Sequence, residues 1–199
     1  IHFGWGVAAE LGPLVAGWGR RALLVTGRRA LRQAGITEGL VGGLRAAGVE
    51  VVLFEEVEPE PDVNTCDRGR HLCREEAVEV VVGVGGGSVL DVAKVIAGLA
   101  GEVAETREYH SGRMPARPGL PLIAVPTTSG TGAEVTPNAV ISDREKRTKK
   151  SIRHDSFLAR VALVDPELTV LLPPAVTAHS GLDAFVQAVR PYNVVAVFH

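Results

Sequence analysis

The segment VVVGVGGGSVLDVAK, residues 80–94, constrains what this chain can fold into more than any other stretch. Val80, Val81, Val82 and Val84 form a short β-branched run without polar alternation, the pattern of a strand covered on both faces. Such a strand needs helices above and below it, which points the surrounding chain toward an α/β architecture. Gly85, Gly86 and Gly87 then remove three consecutive side chains, so backbone N–H groups can approach an anion closely. Ser88 stands where a helix N-cap is expected, and Asp91 three residues later completes an S-x-x-D capping box. The free N–H groups and positive dipole end of that helix would face the same anion. A tight strand-to-helix turn with an ordinary cap has the same sequence, so this segment alone leaves both readings open.

The flanking pattern extends the α/β reading. Ala22 to Thr26 is a predicted strand, Gly35 to Ala47 a helix closed by Gly48, and Val49 to Phe54 the next strand. A helix from Asn64 to Glu76 leads into the strand at Val80, and Ser88 to Leu99 forms the helix after the glycine turn. This alternation implies a doubly wound, Rossmann-like parallel sheet with right-handed crossovers, whose ligands bind outside the carboxyl ends of the strands. Residues 101–119 are polar and contain Gly and Pro, so they read as a long excursion. Leu122 to Val125, Ala139 to Ser142 and Ala162 to Val164 read as further strands, with DREKRTKK as a charged turn. From Pro173 a single helical pattern begins. The expected division is an α/β domain over 1–172 and the start of a helical domain over 173–199.

Composition excludes several classes of partner. A net charge of −2 over 199 residues offers no electrostatic case for nucleic acid or an acidic membrane surface. No apolar run reaches the roughly 18 residues of a membrane span, and no basic-then-apolar leader opens the chain, so a cytoplasmic location is expected. Cys66 and Cys73 would share a helix face as reduced thiols, and without a C-x-x-C pair they give no zinc signal.

A second loop gives the first a context. PTTSGTGAEVT, residues 126–136, places Thr127, Thr128, Ser129 and Thr131 between glycines directly after a predicted strand end. It could hold phosphate, ribose or a carboxamide, or be a polar loop that satisfies its own backbone. Two such loops at strand carboxyl ends favour a nucleotide site. With GGGSVLDVAK, PTTSGTGAEVT and VDPELT followed by PP in this order, the chain closely resembles the iron-containing (group III) alcohol dehydrogenases, relatives of glycerol dehydrogenase and dehydroquinate synthase. The resemblance runs from FGWGVAAELG to GLDAFVQAV. It implies an oxidoreductase that exchanges hydride between a small alcohol or aldehyde and NAD or NADP. It also implies a divalent metal, iron or zinc, in the full-length parent, and a homodimer. A maleylacetate reductase or glycerol dehydrogenase is an alternative of the same lineage, and a catalytically silent nucleotide-binding or dimerisation module is an alternative of another class.

Carried over residue by residue, the resemblance puts Gly86, Gly87 and Ser88 on the cofactor pyrophosphate and Thr127, Thr128 and Thr131 along the cofactor. Asn138 and Lys149 match positions near the nicotinamide ribose, although a lysine in the run Lys146 to Lys150 also reads as a solvated turn charge. NAD-preferring members carry an acidic residue after the first strand, where this chain has Gly27 followed by Arg28 and Arg29. The missing carboxylate and adjacent guanidinium predict a preference for NADP. The metal motif departs from the pattern. Asp183 matches the family's D-x-x-x-H aspartate, but Gln187 stands at the histidine, and an amide is a poorer transition-metal ligand than imidazole. The family's other two histidines lie further downstream, and His179 and His199 are weak substitutes. The resemblance fades after Tyr192, with NVVAVFH expected not to continue the helical domain. A truncated, frameshifted or amino-terminal piece of a longer enzyme is therefore expected, able to bind dinucleotide with little or no turnover.

Overall fold

A computed structural model describes residues 1–170 and 172–196. Strand β1 (His2–Phe3) and a 3₁₀ turn lead into α1 (Leu11–Ala16), followed by β2 (Arg21–Gly27), α2 (Ala30–Gln33), α3 (Ile36–Ala46) and β3 (Glu50–Val57). Then come α4 (Val63–Glu75), β4 (Val80–Gly85), α5 (Gly87–Gly98) and α6 (Thr106–His110), and the chain returns through β5 (Leu122–Pro126). It continues with β6 (Asn138–Asp143), β7 (Thr148–Arg153), β8 (Val161–Val164) and the long α7 (Pro174–Ala196).

Six strands form one parallel sheet in the order β1-β8-β5-β4-β2-β3. The chain steps outward from β2 to β3 and then back to β4 on the other side, so the order reverses between β2 and β4. That reversal opens a crevice at their carboxyl ends, where Gly27 and Gly85 lie. The sheet explains the unbroken apolar runs. Leu23, Val25 and Val81 pack on one face with α4 and α5, while Ala22, Leu24, Val80, Val82 and Val84 pack on the other with α1 and α3. Each buried valine of β4 contributes on the order of 1.5–3 kcal/mol of apolar burial. Gly83 allows α5 to lie directly on the sheet, because a Cβ there would stand 2.7 Å from that of Ala93. Cys66 and Cys73 are free and buried in the same core, where burial pushes the Cys73 thiol up to about 12. Among the described residues no helix is long and apolar enough to cross a membrane.

Three local expectations are corrected. The capping box does not form: α5 starts at Gly87 with Gly86 as its N-cap and no side-chain cap, because the glycine turn lets the Gly86 carbonyl accept the first helical bonds, from Val89 and Leu90. Asp91 is free for another partner. The charged DREKRTKK segment is only in part a turn, since Thr148 to Lys150 open β7, which pairs antiparallel with β6 as a hairpin outside the main sheet. The helix α7 runs through Asn193 to Ala196 rather than stopping near Tyr192, and Val197 to His199 lie outside the described residues.

Candidate functional site

Two loops meet at the carboxyl ends of β4 and β5. The Thr127 N–H donates to the Gly85 carbonyl at 3.0 Å, continuing the ladder past the strand ends. A Cβ on Gly86 would stand 3.3 Å from the Thr128 hydroxyl oxygen, and one on Gly87 3.1 Å from that of Thr131. The glycines are therefore what keeps the gap between these loops open at the start of α5, whose first N–H groups have no acceptor within the helix. The cradle fits a pyrophosphate: it has space, backbone donors and the positive end of a 12-residue helix.

The cradle opens on two sides. On one side Gly27, Leu31, Ile36, Val84, Gly85, Gly86, Val89, Thr127, Leu168 and Leu172 line a mainly apolar pocket between β2, β4 and the chain after β8. Beside it, Gly27, Arg28, Arg29, Glu58, Pro59 and Ser88 border a more open cavity. Here the Arg28 Nε donates to the Glu56 carbonyl at 3.2 Å, and its guanidinium lies 3.9 Å from Glu58. The Glu58 carboxylate is mostly buried and already accepts from the Thr65 hydroxyl and the Asp62 N–H.

On the other side lies a cleft of about 430 Å³, where Gly87, Ser88, Asp91, Thr131, Thr136, Asn138, Lys149, Asp183 and Gln187 come together. Helix α5 forms one wall and the β6–β7 hairpin another. Lys149 stands opposite Ser142 in the hairpin register, and its ammonium donates to Glu60 at 2.9 Å. This pairing holds the Glu60 carboxyl below its ordinary value. Glu60 has a left-handed backbone (φ 53°) in a turn pinned to the hairpin, where the Ser142 N–H donates to the Pro61 carbonyl and the Arg144 N–H to Asp62.

Every expected cofactor residue thus borders one of these three neighbouring spaces, except Thr128, which flanks Gly86 directly. Sequence reasoning missed Glu60, Lys94 and Thr136. For Lys94 the signal was one ammonium inside the otherwise apolar run VAKVIAG; for Glu60 there was none beyond a Pro-flanked turn. Asp91 has a different task from the one expected. Its Oδ2 accepts the Val140 N–H at 3.0 Å, and burial pushes its carboxyl up.

The expected metal pair does not by itself fit a metal. Asp183 and Gln187 face the cleft one helical turn apart, but the Gln187 amide nitrogen donates to the Asp183 carboxylate at 2.8 Å. With its amide nitrogen on Asp183, Gln187 has only a neutral amide oxygen left to offer, a weaker ligand than imidazole. Among the described residues no group of three or more His, Cys, Asp or Glu side chains could hold a metal ion. His179 is exposed on α7 and does not border the cleft, and His199 lies outside the described residues.

Comparison with known proteins supplies the lineage. The family model described as iron-containing alcohol dehydrogenase matches residues 1–166. The chain is 42% identical to long-chain-alcohol dehydrogenase 1 of Geobacillus thermodenitrificans, covering 96% of this chain and 49% of that protein. It is 34% identical to the NADPH-dependent butanol dehydrogenase of Clostridium saccharobutylicum, covering 100% of this chain and 51% of the relative. The crystal structure of sulfoacetaldehyde reductase from Bifidobacterium kashiwanohense in complex with NAD+ superposes with a TM-score of 0.84 at 34% identity, over 92% of this chain and 48% of that one. The chain therefore spans about half the length of the relatives it matches.

Proposed function

Since the chain belongs to the iron-containing alcohol dehydrogenase family, we propose that it is the dinucleotide-binding half of an NAD(P)-dependent alcohol dehydrogenase that prefers NADP. The observation that carries this reading is the convergence of the two loops, Gly86 against Thr128 and Gly87 against Thr131, around an open anion cradle at the start of α5. In this reading the N–H groups of Gly87 and Ser88 hold the pyrophosphate, flanked by Thr127, Thr128 and Thr131. The apolar pocket beside Leu168 and Leu172 takes the adenine, and Asn138 and Lys149 flank the nicotinamide ribose. Gly27 leaves room for a 2′-phosphate, and Arg28 with Arg29 supplies its counter-charge. When bound beside Asn138 and Lys149, the oxidised nicotinamide would supply the hydride acceptor for oxidation of a small alcohol to its aldehyde, the hydroxyl proton being released.

A second reading applies to the 199-residue polypeptide as it stands: it binds cofactor without turnover. The hydrogen bond between Gln187 and Asp183 favours it, because that pair alone offers too few donors for a metal that would stabilise an alkoxide. The second copy expected in a homodimer would meet the β1 edge of the sheet, where Ile1, Phe3 and Trp5 are 82%, 74% and 68% exposed.

Calorimetric titration with NADP and NAD tests these readings. Saturable one-site binding is expected, tighter for NADP. Gly87→Val should weaken it by at least about tenfold, since its branches would meet Thr131 and fill the cradle. A chain that binds neither dinucleotide sinks the first reading, and an NADP-to-NAD affinity ratio below one sinks the preference. Robust alcohol oxidation by this polypeptide with added iron or zinc would overturn the second.

A further inference from the structure

Lys94 is a fully buried ammonium on α5, behind the cleft wall. Its Nζ donates to the Thr136 hydroxyl at 3.1 Å and to the Asn138 carbonyl at 2.9 Å, and lies 3.7 Å from Asp91 Oδ1. The other Asp91 oxygen accepts the Val140 N–H at 3.0 Å. Two side chains from one turn of α5 therefore hold the backbone of β6 on both sides of Ala139, whose own side chain is buried in the core. Asn138 and Val140, the residues so held, both border the cleft.

These bonds set the placement of the Asn138 end of the hairpin. The hairpin shares no ladder with the six-stranded sheet, and its Ile141-to-Lys149 end is tied to the 60–62 turn through Ser142, Arg144 and Lys149 and to α6 through His110 and Arg107. Its buried side chains Ala139, Ile141 and Ile152 pack on the core, but apolar contact is not directional and permits sliding. Lys94 and Asp91 supply the directional bonds at the end that carries Asn138. A buried ammonium is costly to desolvate, and an unbranched apolar side chain of similar length could fill the same volume. Packing alone therefore gives no reason for a charge at this position. Burial lowers the Lys94 pKa, while the nearby Asp91 carboxylate favours its charged form.

We propose that Lys94 is a positioning residue for the nicotinamide-riboside half of the cofactor, acting through the Asn138 carbonyl and Thr136 to set the distance between the hairpin wall and the pyrophosphate helix. The proposal rests on the dinucleotide reading above. The adenine pocket and the glycine turn lie outside this bonding network, so Lys94 should affect one half of the ligand and not the other.

The test compares NADP with the 2′-phosphate of ADP, which carries the adenine, the diphosphate and the 2′-phosphate but no nicotinamide riboside. Lys94→Met should weaken NADP binding about tenfold while leaving the affinity for the shorter ligand within about twofold. Thr136→Val, which removes one of the two hydrogen bonds in a milder way, should give the same selectivity with a loss of about threefold and serves if Lys94→Met does not fold. Equal loss for both ligands, or loss for neither, overturns the proposal while leaving the dinucleotide reading intact. Failure of the unmodified chain to bind either ligand overturns both together.

Discussion

Gly27 ends β2 at the crevice, and the nearest atoms to a Cβ built there are a Val89 methyl at 3.8 Å and the Val57 carbonyl at 3.9 Å. The site therefore has room for a side chain and lacks one. Gly27→Asp should be accommodated without repacking and would place a carboxylate beside the proposed 2′-phosphate, where it repels that group and accepts from free ribose hydroxyls. The NADP-to-NAD affinity ratio should fall at least about tenfold, measured by titration of both cofactors. An unchanged ratio would put the 2′-position elsewhere. Residues such as Gly27 and Gly87 are legible from sequence because a missing side chain at a strand end or at a helix start is a local feature. Asp91 was legible as a residue that matters but not in what it does. Its backbone partner, Val140, is 49 positions away, and nothing in the spacing S-x-x-D separates a cap from a staple.

At the scale of elements, the excursion over 101–119 is organised rather than loose. The Glu102 carboxylate accepts from the Tyr109 hydroxyl at 2.7 Å and from the N–H groups of Ala116 and Arg117, gathering α6 and the Pro-containing stretch around one residue. Below it, the buried Arg70 of α4 donates to the carbonyls of Leu99, Glu102 and Ala104. The N–H of Ala116, the Tyr109 hydroxyl and the N–H of Arg117 favour the charged form and hold the Glu102 carboxyl at about 2, against an ordinary value of 4.5. A depressed carboxyl stabilises the fold fully above its ordinary value, and that contribution is lost as pH falls from 4.5 toward 2. Glu102→Gln should lower Tm by roughly 3–8 °C at neutral pH and flatten that part of the Tm–pH profile. A variant with the profile of the unmodified chain would show that the carboxylate holds nothing. The polar composition of this stretch marked it as an excursion, but a hub built on one glutamate has no periodicity to betray it. The same reason hid β7, whose first residues, Thr148 to Lys150, close the charged segment that reads as a turn.

For the whole molecule, the sheet ends at β1, a two-residue edge strand paired on one side only, to β8. Exposed Phe3 and Trp5 beside an open edge favour association of two copies there. Sedimentation at micromolar concentration should report a dimer, and Phe3→Asp combined with Trp5→Asp a monomer with unchanged secondary structure. A monomeric unmodified chain would dismiss that edge as an interface. The sequence by itself determined the doubly wound class, the position of the glycine turn and the lineage, because buried-strand runs and glycine turns are local patterns whose meaning needs no distant partner. Only the tertiary structure decided what faces the cradle. The hairpin left the main sheet, Glu60 reached Lys149, Gln187 turned its amide to Asp183, and Lys94 found Thr136 and Asn138 more than forty positions away. Most of those contacts join charged or polar groups from separate elements. Their pairing follows from how the elements pack, which no local period encodes.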